Sequence, residues 1–100
     1  MQNEKKCCAD IIKEAIKKWG NELQTVVVCM EECSELIKEC SKMLRGKGNK
    51  SHLIEEMADV KICLVMLEKM YEISAIDVNT VMLEKIERLK KRIEEDEENE

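Results

Sequence analysis

Across its 100 residues the chain has no proline, and it has glycine only at positions 20, 46 and 48. Proline and glycine are the residues that most readily end a helix, so almost every other position is free to continue one. The side chains agree. Charged residues make up 39% of the chain and apolar residues 44%, with Trp19 and Tyr71 as the two aromatics. A mixture rich in Glu, Lys, Leu, Ile and Met favours helices and excludes a sandwich or barrel of aromatic and β-branched strands. The expected fold is therefore all-α, an antiparallel helical bundle of about four helices per chain, in an oligomer. At this length folding hides roughly 65% of the unfolded surface, which leaves little margin.

The glycines and caps divide the chain into four segments. The first, about Glu4 to Trp19, carries Ile11, Ile12, Ala15, Ile16 and Trp19 at helical spacing, with Gly20 where a C′ glycine belongs. Asn21 followed by Gln24 reads as a capping box opening a segment that runs to about Leu44. Residues 45–50 hold two glycines and no apolar residue, so they form a loop. A third segment starts near Ser51 and ends near Tyr71, and Ser74-Ala75-Ile76-Asp77 is the start signal of a fourth. In that last segment Met82, Ile86, Leu89 and Ile93 repeat at spacings of four, three and four, a bundle seam. One domain is expected over residues 1–93, followed by an acidic, frayed tail over residues 94–100.

From Met57 to Leu67 only Asp59 and Lys61 are charged, so apolar side chains surround nearly the whole helix. Such a helix is buried on several sides, and three short neighbours can hardly enclose it. A homodimer or a dimer of dimers is expected, with this segment near the interface. Several of the seven Met, among them Met30, Met43, Met57, Met66 and Met82, are expected to fill gaps in a core without Phe.

Charge and cysteines narrow the function. The net charge of −5 is wrong for general nucleic-acid binding, which needs clustered Lys and Arg. The longest apolar run, Ile62 to Leu67, is six residues, too short to span a membrane. The six Cys include no C-x-x-C pair, so neither a zinc ribbon nor a redox pair is supported. Cys29, Cys33 and Cys40 share a helical face with Leu36, Ile37 and Leu44, as small buried hydrophobes do. Reduced thiols and a cytoplasmic protein are expected.

Two segments place acids three residues apart. Glu32 and Glu35 lie within EECSELIKEC, and Glu56 and Asp59 within LIEEMADV. Members of each pair share a helical face, flanking the apolar stripe. If the two helices pack antiparallel, as their short loop demands, the pairs face each other and repel strongly. Either their pKa values rise or a cation neutralises them. All-oxygen ligands favour Mg²⁺, with Mn²⁺ as substitute, over zinc. Asp59 stands out, because Asp is a poor helix former and here interrupts an apolar run.

E-x-x-E, a 20-residue spacer and then E-x-x-D, all on helices, resemble the MazG-like all-α nucleoside triphosphate pyrophosphohydrolases. The likeness spans about residues 19 to 93, including Trp19-Gly20 and Lys85-Ile86-Glu87-Arg88. It implies a Mg²⁺-dependent enzyme in which water attacks the α-phosphorus of an NTP or dNTP, leaving a monophosphate and pyrophosphate. It implies Glu32, Glu35, Glu56 and Asp59 as metal ligands, and Lys85 and Arg88 as phosphate contacts. Where the family often has Asn two residues before that Lys, this chain has Leu83.

The residues fit that chemistry on their own terms. An acidic site can hold a triphosphate only through a divalent metal, and a spare carboxylate can take a proton from the attacking water. Glu31, Glu35 and Glu39 are candidates for that base, with Glu35 favoured. Lys38 can pair with Glu35 or reach a phosphate, and Trp19 can stack on a base or anchor the first helix. His52 reads as a first-turn helix residue bordering the acids. Rival readings are a phosphoribosyl-ATP pyrophosphohydrolase, whose usual N-terminal Ser-Tyr-Thr segment is absent, and a helical interaction module whose acids form a solvated face.

Overall fold

The computed structural model describes residues 6–99, and among them there are four helices and no strand. These are α1 (Cys8–Trp19), α2 (Glu22–Leu44), α3 (Lys50–Met70) and α4 (Ala75–Glu98). The expected start of the first helix at Glu4 lies outside the described residues. Asn21 caps α2 by accepting the Gln24 backbone N–H at 2.9 Å. Asn49, one position before Lys50, caps α3 through the N–H groups of Ser51 (2.7 Å) and His52 (3.3 Å). Ser74 caps α4, its hydroxyl accepting from Ile76 N–H at 3.1 Å.

Gly20 does a different job from the one expected. Its φ is −103°, ordinary extended backbone, so no left-handed turn requires it. A Cβ there would instead lie 2.8 Å from Thr25 Oγ1, so glycine lets α1 pass close to the start of α2. A left-handed turn occurs at Gly46 (φ +71°) and, without glycine, at Glu72 (φ +53°). At Glu72 the chain leaves α3 with Ile73 N–H donating to Glu68 C=O at 2.9 Å, a Schellman closure.

The core is the contact of α2 with α3. On α2, Thr25, Cys29, Glu32, Leu36 and Glu39, spaced four, three, four and three apart, are buried or half-buried. On α3 the matching line is Leu53, Glu56, Val60, Cys63, Leu67 and Met70. The Cys29 thiol donates to the Cys63 carbonyl at 3.6 Å across this seam. Cys33 and Cys40 are exposed, contrary to expectation, because each lies one residue, about 100°, round the helix from the seam. The expected Met filling is met only in part in the single chain, where Met66 and Met70 are half-buried but Met30, Met43, Met57 and Met82 are exposed.

Helix α1 packs on α3, whereas α4 has no comparable packing and no buried residue. Its stripe of Met82, Ile86, Leu89 and Ile93 is exposed. The acidic segment expected to fray after residue 93 is helical through Glu98, since Glu propagates a helix well. The radius of gyration is 18.0 Å, against about 13 Å for a compact chain of this length. The accessible surface is 8721 Å², against about 5,900 Å² for a compact monomer of this mass. Among the described residues no helix is long and apolar enough to cross a membrane.

Burial, with hydrogen bonding to Cys29 and the nearby charges as lesser causes, pushes the Cys63 thiol up to about 12. Iodoacetamide at mildly alkaline pH should therefore modify the exposed Cys7 and Cys8 in the native protein and reach Cys29 and Cys63 only after unfolding. Native labelling of Cys63 as fast as Cys8, read by peptide mass analysis, would contradict the seam.

Candidate metal centre

Three carboxylates interrupt the apolar seam. Glu32 comes from α2, and Glu56 and Asp59 come from successive turns of α3. Each offers an oxygen within 4.8 Å of the others, and all three side chains are half-buried. The sequence places the acids beside the apolar stripe, but Glu32 and Glu56 in fact stand at seam positions, where each helix meets the other. That is why they are drawn together.

Their electrostatics follow from this placement. Burial, then the charges of Asp59 and Glu56, hold the Glu32 carboxyl above its ordinary range. Burial, then Asp59, Glu35 and Glu39, do the same to Glu56. No Lys or Arg within ion-pairing distance relieves the three, since the ion pairs among the described residues are Lys6–Glu14 and Lys42–Glu39. Glu56 Oε2 is shut off from solvent without a hydrogen-bond partner. Three hard oxygen donors with one orphaned buried oxygen fit a divalent cation such as Mg²⁺ or Mn²⁺.

The other candidate residues are spread around this group. Glu35, one turn after Glu32, is exposed and outside the three, yet near enough to raise both Glu32 and Glu56. Glu31 is exposed, and its backbone carbonyl accepts from the Ser34 hydroxyl at 2.7 Å. Lys38 is exposed and makes no ion pair with Glu35. Lys85 and Arg88 stand on the exposed α4, and the structure does not pair either of them with Glu32, Glu56 or Asp59. His52 is exposed in the first turn of α3, where its backbone N–H meets the Asn49 cap.

Trp19 is 71% exposed, with Lys18 Nζ 5.4 Å from its ring centroid. The ring borders an apolar pocket of about 330 Å³ between α1, α2 and α3, lined by Ile12, Ile16, Val28, Ile62 and Met66 among others. Val28 is one turn before Glu32, and Ile62 is three residues after Asp59, so the pocket adjoins the acids along both helices.

Residues 21–94 match the MazG nucleotide pyrophosphohydrolase domain. The chain belongs to the MazG family. No curated protein and no solved structure matches it. The matched span takes in α2, α3 and most of α4. MazG membership gives the chemical class, hydrolysis of a nucleotide with release of pyrophosphate, in a family that uses divalent metals. Glu39 is the acid whose position the sequence reading understated. The repeat Thr25, Glu32, Glu39 at intervals of seven was the available signal, because it puts both acids on the face that meets α3.

Glu32 and Glu56 titrate above the ordinary glutamate value of 4.5 in the folded chain. Between that value and their raised ones the folded state binds more protons than the unfolded. The part of the metal-free protein's stability that these two groups contribute should thus be fullest below about pH 4.5 and be lost as pH rises through the raised values. Chelator-treated protein should show a melting temperature that falls with pH over this window, with a shallower slope for Glu56→Gln. Equal slopes for the two proteins would contradict the repulsion.

Proposed function

We propose that this MazG protein is a Mg²⁺-dependent pyrophosphohydrolase of a nucleoside triphosphate or deoxynucleoside triphosphate. The observation that carries this reading is the convergence of Glu32, Glu56 and Asp59 from two helices. With Glu35 beside them, these residues would hold the metal. A bound Mg²⁺ supplies polarisation of a phosphoryl oxygen and a more acidic water.

The chain's own residues account for the remaining roles. Glu35, exposed at the rim, accepts the proton of the water that attacks the α-phosphorus, with Glu31 next to it as the alternative base. The bond from that phosphorus to the oxygen bridging to the β-phosphate breaks, and pyrophosphate leaves with the bridging oxygen. The apolar pocket beside Trp19 suits the flat face of a base. Lys85, Arg88 and Lys38 supply positive charge to phosphate oxygens.

The working form is a homodimer or dimer of dimers, in which α2 and α3 run antiparallel and a second chain covers α4. The single chain exposes about 2,800 Å² more surface than a compact monomer of its mass, well above the roughly 800 Å² per partner of an ordinary interface. A reduced, cytoplasmic protein suits both the free thiols and the nucleotide substrate.

A panel of nucleotides should show pyrophosphate release that needs Mg²⁺ and falls by at least about a hundredfold in Glu56→Gln. Release unchanged in that variant would rule out this centre. Light scattering at micromolar concentration should give at least twice the chain mass of 11.7 kDa, and Leu89→Glu should lower it. A wild-type monomer with full activity would contradict the assembly.

A further inference from the structure

Gln24 helps to start α2, but its side chain takes no part in that. Asn21 Oδ1 accepts the Gln24 backbone N–H at 2.9 Å. The amide, which a capping box would turn back towards Asn21, is exposed and borders the apolar pocket between α1, α2 and α3. Three residues around that pocket carry hydrogen-bonding side chains, Trp19, Gln24 and Thr25. Thr25 is 2% exposed and its Oγ1 is shut off from solvent, so it offers nothing to a ligand. Trp19 can donate through its indole N–H but cannot accept. Of the lining residues, Gln24 alone presents a donor and an acceptor side by side.

The pocket volume of about 330 Å³ is at the small end of ligand sites, enough for the base of a nucleotide. Gln24 precedes Glu32 by eight residues, about 12 Å along α2. The amide and the acids therefore stand at the two ends of a span that one nucleotide covers, with Val28 between them. Apolar walls strand any polar group of the base that the amide does not meet. Adenine has an amino group beside its N7, and one glutamine amide answers both at once. Guanine shows two acceptors at that edge, and its other edge carries a further amino group that the walls would leave unpaired. A single-ring base would cover less of the apolar lining.

We propose that Gln24 is a specificity-determining residue, whose amide reads the amino group and ring nitrogen of an adenine base seated in this pocket. This rests on the pyrophosphohydrolase reading above and names the base of its substrate.

Trp19 is the chain's one tryptophan and borders the pocket, so its fluorescence reports occupation directly. Chelator-treated full-length protein would be titrated with adenosine monophosphate, guanosine monophosphate and ribose 5-phosphate, which tests the pocket without the metal. Wild type should bind the adenosine compound at least about fivefold more tightly than the guanosine one. Ribose 5-phosphate should leave Trp19 unchanged. Gln24→Met keeps the side-chain length and the backbone cap bond, and circular dichroism would check its helicity. It should weaken adenosine monophosphate by at least about fivefold and bring the two nucleotides level. Equal binding of both nucleotides by wild type, or unchanged adenosine monophosphate binding by Gln24→Met, would overturn the proposal. A Trp19 signal indifferent to both nucleotides would overturn it too. Adenosine monophosphate bound as expected, with no pyrophosphate released from any triphosphate, would uphold the pocket and overturn the pyrophosphohydrolase reading, so the two failures are told apart.

Discussion

The packing of α2 against α3 is the interaction on which everything else in this chain depends, and its seam is only partly apolar. Cys29 and Cys63 meet in its middle with Leu36, Val60 and Leu67 nearby, yet Glu32, Glu39 and Glu56 occupy seam positions too. A helix pair chosen for stability alone would place leucine there. Acids at those positions repel one another and lose water, which raises Glu32 and Glu56. The same arrangement gathers hard oxygens from two rigid helices into a space of a few ångströms, which a cation site needs and a loop would hold less well. Stability is surrendered at the place where the proposed cation site requires charge.

Much of this was legible in the sequence. Four helices follow from the absence of proline and the placing of three glycines, and Asn21 and Ser74 announce their caps. The end of α3 was located, but not its turn, because Glu72 adopts the left-handed region without the glycine that usually marks it. The acids themselves were evident from their spacing. What spacing could not give was the register of the seam, because a helix has several candidate faces and its partner decides which one is covered. For that reason Cys33 and Cys40 were expected inside and are outside, and Glu35 lies exposed beside Glu32, Glu56 and Asp59 instead of on the seam.

The least settled part of the single chain is α4. It is long, its stripe of Met82, Ile86, Leu89 and Ile93 is periodic, and none of it is buried. Amphipathic helices of this kind owe most of their stability to packing of the apolar face. Together with the exposed Met30, Ile37, Met57 and Leu64 on α2 and α3, it leaves more apolar surface open than a lone small domain usually tolerates. A second chain would cover these faces, and it would also decide whether Lys85 and Arg88 reach a triphosphate held at the acids of their own chain or of the other.

The central claim is that Glu32, Glu56 and Asp59 bind a divalent cation, and thermal melting with and without millimolar Mg²⁺ tests it most directly. Asp59→Asn keeps the shape of the side chain and removes its charge. Mg²⁺ should raise the melting temperature of wild type by several degrees, as a ligand of the folded state does. It should leave Asp59→Asn nearly unchanged, while the metal-free variant melts at or above metal-free wild type because one repulsion is gone. Equal stabilisation of both proteins by Mg²⁺ would mean that the cation binds somewhere else.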